Sequence, residues 1–299
     1  MPFEPKRHDN MKTSAIASAL AAACLTGLSA TASAIDVAYG DFSDVSALQL
    51  NDRAATIGNA VTDDQGRKVL RLTDNYGQKG SAFLKTPVSL ANDVSFTTYF
   101  QFRMTQGDGF YESGEFPVKG ADGIVFVVNP TNDTTGGAGE GIGYKGYWFG
   151  AGVEFDTFNN GNPLDVDGNH VGVDLGGSVD SVIAKQVTQA LMNNGQVWSA
   201  WVDYDGVTDV LAVRVAQGAS ALRPEAAFLT YTVDLDAVAQ GEDVYFGFTA
   251  ATGSLRNHHD ILRWEVETIP VSAPVPEPGT LALLGLGGLA LAFAARRRA

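Results

Sequence analysis

Short runs of alternating apolar and polar residues recur along the chain, each closed by Asn, Asp or Gly. The clearest is Ser95-Phe96-Thr97-Thr98-Tyr99-Phe100-Gln101-Phe102. A period of two puts Phe96, Thr98, Phe100 and Phe102 on one face, which is the pattern of a half-buried strand. Similar runs cover 47–50, 68–72, 123–128, 152–155, 170–175, 197–204, 210–215, 230–235, 244–250 and 261–266. So many short strands without an intervening linker predict one all-β domain of two packed antiparallel sheets. Only Ser181 to Asn193 could pass for a helix. Its apolar positions 182, 183, 187, 190 and 191 fit a period of 3.6, but its Val and Thr content leaves it ambiguous. Trp148, Trp198, Trp201 and Trp264 read as core or sheet surface.

Charge narrows the function. The formal net charge of −14 opposes phosphate backbones, so nucleic acid is excluded as a partner. The single cysteine, Cys24, falls within an N-terminal export segment, so neither a disulfide framework nor thiol chemistry is expected of the mature chain. Met11 to Ala34 carries a lysine, an apolar run and a closing Ala32-Ser33-Ala34, the pattern of a secretory signal peptide. Met1 or Met11 could start the chain, and residues 1–34 read as an extension plus signal. A lipoprotein reading with Cys24 as the lipidated residue is weaker, because Ala21-Ala22-Ala23 lacks the usual leucine.

The other end reads Val275-Pro276-Glu277-Pro278, then an apolar stretch, then Arg296-Arg297-Arg298. As a helix the stretch is just long enough to cross a bilayer, with the arginines left in the cytoplasm. This tail closely resembles the PEP-CTERM sorting signal of Gram-negative bacteria that make exopolysaccharide. The resemblance implies export across the inner membrane and a transient membrane anchor. It further implies processing by an exosortase-type enzyme and delivery to the cell surface or extracellular matrix. The expected layout is a domain over 35–268, a linker with the Pro-Glu-Pro motif over 269–278, and a transmembrane sorting segment over 279–299.

One stretch carries chemistry. From Gly152 to Asp174 the chain packs Glu154, Asp156, Asn160, Asp165 and His170 between two alternating runs. Glu154 and Asp156 are two apart on a strand and share a face. A hairpin-like return can bring His170 beside Glu154. Carboxylates with one imidazole suit Mn²⁺ or another transition metal; carboxylates, an amide and a backbone carbonyl suit Ca²⁺. Acidic residues in Asn/Gly loops often only form turns, but here they are dense and flanked by strands. A helix–loop–helix calcium motif fails for Asp165-Val166-Asp167-Gly168-Asn169, because its glycine comes too early and no helices flank it.

With Ala121-Asp122-Gly123 before the run Ile124 to Val128, the glycine-rich loop Gly136 to Tyr144, and Phe246 to Gly253 followed by His259 to Trp264, this stretch is similar to the legume-type (L-type) lectin family. Leu48-Gln49-Leu50-Asn51 and Phe100-Gln101-Phe102 extend the resemblance over about 40–268. It implies a concanavalin A-like jelly-roll sandwich of two large antiparallel sheets, to which the tail would add a C-terminal hydrophobic helix. It implies a transition-metal site of Glu154, Asp156, Asp165 and His170, with Asp167 as the competing choice for Asp165. A calcium site of Asp156, the Phe158 carbonyl, Asn160 and Asp165 would lie beside it.

The resemblance also implies how a sugar is held. Asp122, after a cis bond to Ala121, accepts hydroxyls; Asn160 and the backbone N–H near Gly141 donate; Phe158 stacks. The loop Gly253 to His258 selects the sugar, with Leu255, Arg256 and Asn257 as its candidates. The partners implied are a glycan or exopolysaccharide, and a homodimer is admitted without being fixed. Glu140 departs from the glycine common in relatives and could crowd the pocket or bind another hydroxyl. The insertion Thr105 to Lys119 carries Phe110 and Tyr111, which either extend a subsite or cover core. A glycoside hydrolase on the same sandwich would need a Glu-x-Asp-x-Glu pattern, and Phe158 stands where its second glutamate belongs. A matrix scaffold with a degenerate sugar site is the third reading.

Overall fold

In the computed structural model the described residues are 35–58, 61–108, 111–113, 116–161 and 166–270, with the backbone alone for 111–113 and 116–118. The export segment, the sorting segment, Phe110 and Asp165 lie outside them.

The chain enters along β1 (Asp36–Tyr39) and β2 (Leu48–Asn51), then turns through a short helix, α1 (Asp52–Ile57). β3 (Leu70–Thr73), β4 (Lys79–Leu84) and the long β5 (Ser95–Asp108) follow. A small hairpin of β6 (Tyr111–Ser113) and β7 (Phe116–Val118) precedes β8 (Gly123–Asn129). Next come β9 (Ala151–Asp156), β10 (His170–Leu175) and β11 (Ile183–Gln186). The chain continues through β12 (Trp198–Asp205), β13 (Val210–Gln217) and β14 (Leu229–Thr232). It closes with α2 (Leu235–Val238), β15 (Tyr245–Ala251) and β16 (Arg256–Ile269).

Two seven-stranded antiparallel sheets form a jelly-roll sandwich. The first runs β1-β16-β5-β12-β13-β14, with β3 also on β16; the second runs β11-β10-β9-β8-β15-β4-β2. Aromatic side chains from both inner faces fill the space between. Phe96 meets Phe246 at 4.8 Å, Phe100 meets Phe248 at 5.0 Å, and Phe102 meets Phe155 at 5.0 Å between ring centroids. Burying each such side chain is worth roughly 1.5–3 kcal/mol, so β5 is held chiefly by its alternate phenylalanines.

The second sheet is covered on its outer face too. After β8 the glycine-rich segment folds back, and Ile142, Tyr144 and Tyr147 pack on Phe83, Val125 and Val127. Burial of both faces explains why β8 reads as the unbroken apolar run Ile124 to Val128. Gly143 makes the fold-back feasible: its φ is +73°, and an added Cβ would meet Thr249 Cβ at 2.9 Å.

Every alternating run contains a strand, although the 230–235 run leaves it after Thr232 and Leu235 opens α2. The 181–193 segment is not a helix: it gives β11, paired with β10 through Ile183 opposite Val173, and then turns. β1, β4, β11 and the small hairpin were not expected. β4 (Lys79-Gly80-Ser81-Ala82-Phe83-Leu84) does not alternate because neighbours cover it on both sides. Trp198 and Trp264 are fully buried and Trp201 nearly so, but Trp148 sits in the turn before β9 and is 78% exposed.

Candidate metal and carbohydrate site

The site lies where β9 ends and β10 begins. These strands pair antiparallel with Asp156 opposite His170 and Glu154 opposite Gly172. The pleat therefore sends Glu154, Asp156 and His170 to one face. All three are buried, and one ligand atom from each lies within 4.8 Å of the others. His170 Nε2 is 3.1 Å from Glu154 Oε1. Its Nδ1 is 2.8 Å from the Asp167 carbonyl oxygen. A carbonyl only accepts, so Nδ1 carries a proton, and Nε2 is the ring nitrogen turned to the cluster. Asp167 thus stands on the far side of the imidazole from Glu154, and its Oδ1 accepts from the Asn169 N–H at 2.6 Å.

Two residues that sequence reasoning missed support Glu154 from behind. Ser181 Oγ bonds to Glu154 Oε1 and lies 2.9 Å from Asp174 Oδ1. Burial, and then the charge of Glu154, raises the Asp174 carboxyl well above the usual carboxylate range. The Ser181 hydroxyl thus lies between the two carboxyls, as donor to Glu154 and to Asp174. Asp174 shares the parity of His170 in β10, so the alternation could have revealed it. Ser181 arrives from a turn, and no local signal marks it.

Asp122 enters from the next strand. Gly123 of β8 pairs with Asp156, which brings Asp122 beside Thr157. Thr157 donates its N–H at 2.8 Å and its hydroxyl at 2.7 Å to the Asp122 carbonyl. The Ala121–Asp122 bond is cis. The Asp122 carboxyl is buried, and its Oδ2 has no hydrogen-bond partner among the described residues. Burial first, and then the nearby charge of Glu140, pushes its pKa up to about 7.

Two loops flank this carboxyl. A Cβ on Gly253 would lie 3.5 Å from Asp122 Oδ2, and Gly139 N–H donates to Thr252 O at 3.2 Å. Gly141 is buried at the end of a 3-10 turn, Gly139–Gly141. Glu140 turns outward: its carboxylate pairs with Lys145 Nζ at 2.6 Å, and both side chains are about half exposed. Phe158 and Asn160 are half-buried, with the Phe158 N–H donating to Asp156 Oδ1 at 2.5 Å.

The selection loop is shorter than the sequence suggested. Only Gly253 to Leu255 is loop; Arg256 already begins β16. Leu255 is half-buried. Asn257 is fully buried and turned inward, since a Cβ on Gly120 would lie 2.6 Å from its Cγ. It lies close against Gly120 and does not face solvent, because alternation along β16 sends residue 257 to the buried side.

The chain matches the legume lectin domain over residues 36–280 and the PEP-CTERM protein-sorting motif over residues 274–298. It belongs to the legume lectin domain family. An L-type lectin domain is thus followed by a C-terminal PEP-CTERM signal. Among similar Arabidopsis thaliana proteins, the probable L-type lectin-domain containing receptor kinase I.5 is 29% identical over 216 residues, covering 65% of this chain and 30% of that protein. Receptor kinase VIII.2 of the same type is 32% identical over 177 residues, covering 57% and 23%. The chain spans less than a third of these relatives.

Solved structures of whole lectins match more fully. Basic winged bean lectin with Tn-antigen superposes with a TM-score of 0.63 at 27% identity, covering 79% of this chain and 99% of that one. Winged bean acidic lectin complexed with methyl-α-D-galactose gives 0.62 at 25%, covering 79% and 98%. In this lectin domain, two buried carboxylates and an imidazole with Nε2 turned towards them are a donor set that fits a transition metal. Among the described residues no helix is long and apolar enough to cross a membrane.

Proposed function

We propose that the protein is a metal-dependent lectin without catalytic activity, exported and sorted to the cell surface or extracellular matrix. The observation that carries this reading is the buried Asp122 carboxyl, with one oxygen unpartnered among the described residues, one strand from the Glu154–Asp156–His170 cluster. Glu154, Asp156 and His170, with Asp165, would hold Mn²⁺ or another transition metal. Asp156, the Phe158 carbonyl, Asn160 and Asp165 would hold Ca²⁺. Such ions would supply positive charge to the site and would hold the loop that carries Phe158 and Asn160.

The chain's own groups do the recognition. Asp122 accepts a pair of sugar hydroxyls, Asn160 and the backbone near Gly141 donate, and Phe158 offers an apolar face to the ring. Glu140 does not block this arrangement, because its carboxylate is drawn out to Lys145. Hydrolysis would need a second carboxylate across the sugar bond, and Phe158 stands at the position a hydrolase pattern would give it. The lectin domain would span 35–268, the linker 269–278 and the sorting segment 279–299, with an exosortase-type enzyme processing near Pro276-Glu277-Pro278. A homodimer would add avidity.

A glycan array probed with and without EDTA tests the reading. Binding that disappears on chelation and returns with Ca²⁺ and Mn²⁺ is the expected result. Binding indifferent to chelation, or sugar released from a polysaccharide panel, would sink it.

A further inference from the structure

Beside the Asp122 pocket stands a group that the site described above does not use. Tyr76, in the turn between β3 and β4, is 44% exposed. The Arg256 guanidinium lies over its ring at 5.0 Å from the centroid. Arg256 pairs with Asp108 at the end of β5 at 3.4 Å. The Asp108 carboxylate also holds the Tyr76 hydroxyl above its ordinary pKa by accepting its hydrogen bond. The trio thus presents a steadied aromatic ring flanked by a carboxylate acceptor and a guanidinium donor.

Its position relative to the pocket is fixed by backbone bonds. Gly77 N–H donates to Gly253 O at 3.1 Å, Gln78 N–H to Thr252 Oγ1 at 2.9 Å, and Thr252 Oγ1 to Asn75 O at 2.6 Å. The Tyr76 turn is therefore fastened to the segment that touches Asp122. From Gly253 to Arg256 is three residues, a reach of at most about 11 Å. A sugar chain with its end residue at Asp122 reaches that far with its next one or two residues.

We propose that Tyr76, Arg256 and Asp108 form a second sugar subsite, so that the preferred ligand is a neutral oligosaccharide longer than one residue. This rests on the lectin reading above. The exposed part of Tyr76 offers a surface for the C–H patch of a pyranose, while Asp108 and Arg256 bond its hydroxyls. Neutrality follows from charge: the Arg256 guanidinium is already paired with Asp108, and a chain of net charge −14 repels uronates. A purely structural reading would have the trio do no more than pin a turn.

Calorimetric titration of the full chain, loaded with Ca²⁺ and Mn²⁺, separates the two. The probes are a panel of methyl glycosides, neutral oligosaccharides of two to five residues ending in the same sugars, and their uronate-containing counterparts. The neutral oligosaccharide should bind about tenfold tighter than its methyl glycoside. Tyr76→Ala should erase that gain while leaving methyl glycoside affinity unchanged, and Tyr76→Phe should keep most of it. Equal losses on both ligands in Tyr76→Ala, no gain from the longer glycan, or preference for the uronate forms would overturn the subsite alone. If the folded, metal-loaded wild type binds no probe, the lectin reading and the subsite fall together.

Discussion

His170 stands opposite Asp156 on neighbouring strands, with Nε2 3.1 Å from Glu154 Oε1 and Nδ1 held by the Asp167 carbonyl. The imidazole is oriented before any ion arrives. His170→Ala should therefore weaken Mn²⁺ binding by more than the roughly 10–100-fold lost when only a ligand's hydrogen-bond partner is removed. Asp122→Ala should leave Mn²⁺ affinity within a few-fold and abolish glycan binding. Competition against a chelator dye measures the first, and the glycan array the second.

Gly172 faces Glu154 across the β9–β10 pair, and an added Cβ would sit 2.5 Å from Glu154 Oε1 and collide with Ser181 Oγ. Gly172→Ala must displace the carboxylate or its hydroxyl support. The expected result is a loss of about 1–3 kcal/mol in stability, together with weakened metal binding. Gly161→Ala, whose added Cβ meets nothing within 4 Å among the described residues but stands at positive φ, should cost stability through backbone strain without moving the cluster. Denaturant unfolding and metal titration on both variants check this.

Asp122, with a pKa near 7 from burial and from Glu140, should show an unusual titration in the metal-free protein. Its folded pKa lies above its unfolded value of 3.8, so the folded state binds the proton more tightly. This group's stabilisation is present below pH 4 and is lost as pH rises towards 7. Glu140→Gln removes the second cause and should move the midpoint down. Carboxyl-carbon NMR of the metal-free chain reads the midpoint, and an unchanged value would remove Glu140 from the account.

Arg71 and Asp260 form a two-point ion pair, at 2.7 and 2.8 Å, between β3 and β16. Asp260 is fully buried. Asp260→Ala leaves a largely buried guanidinium without its partner, and a loss of roughly 3–5 kcal/mol is expected. Replacing both residues with apolar ones of similar volume should cost much less. Thermal melts of the single and double variants distinguish these outcomes.

Most strand runs were legible because they alternate against one dominant core, so a period of two survives in the sequence, while β8 was legible as an unbroken apolar run. The ligand stretch was legible because Glu154 and Asp156 lie on one strand and His170 opens the next. Its companions were harder to see. Ser181 reaches Glu154 only after a turn returns the chain, and Asn257 looked like a loop residue until β16 was found to start at Arg256.

By itself, the sequence determined the two-sheet sandwich, the polarity of its inner faces, and the residue types gathered near Asp156. Those properties follow from local spacing, which fixes the face of a strand on which a side chain falls. Only the tertiary structure decided which faces become covered. It buried Asn257 beneath Gly120, left Trp148 in solvent, turned Glu140 out to Lys145 and set Tyr76 beside Arg256. The Asn257 and Tyr76 outcomes each depend on a segment far away in the chain, and no local period encodes such a contact.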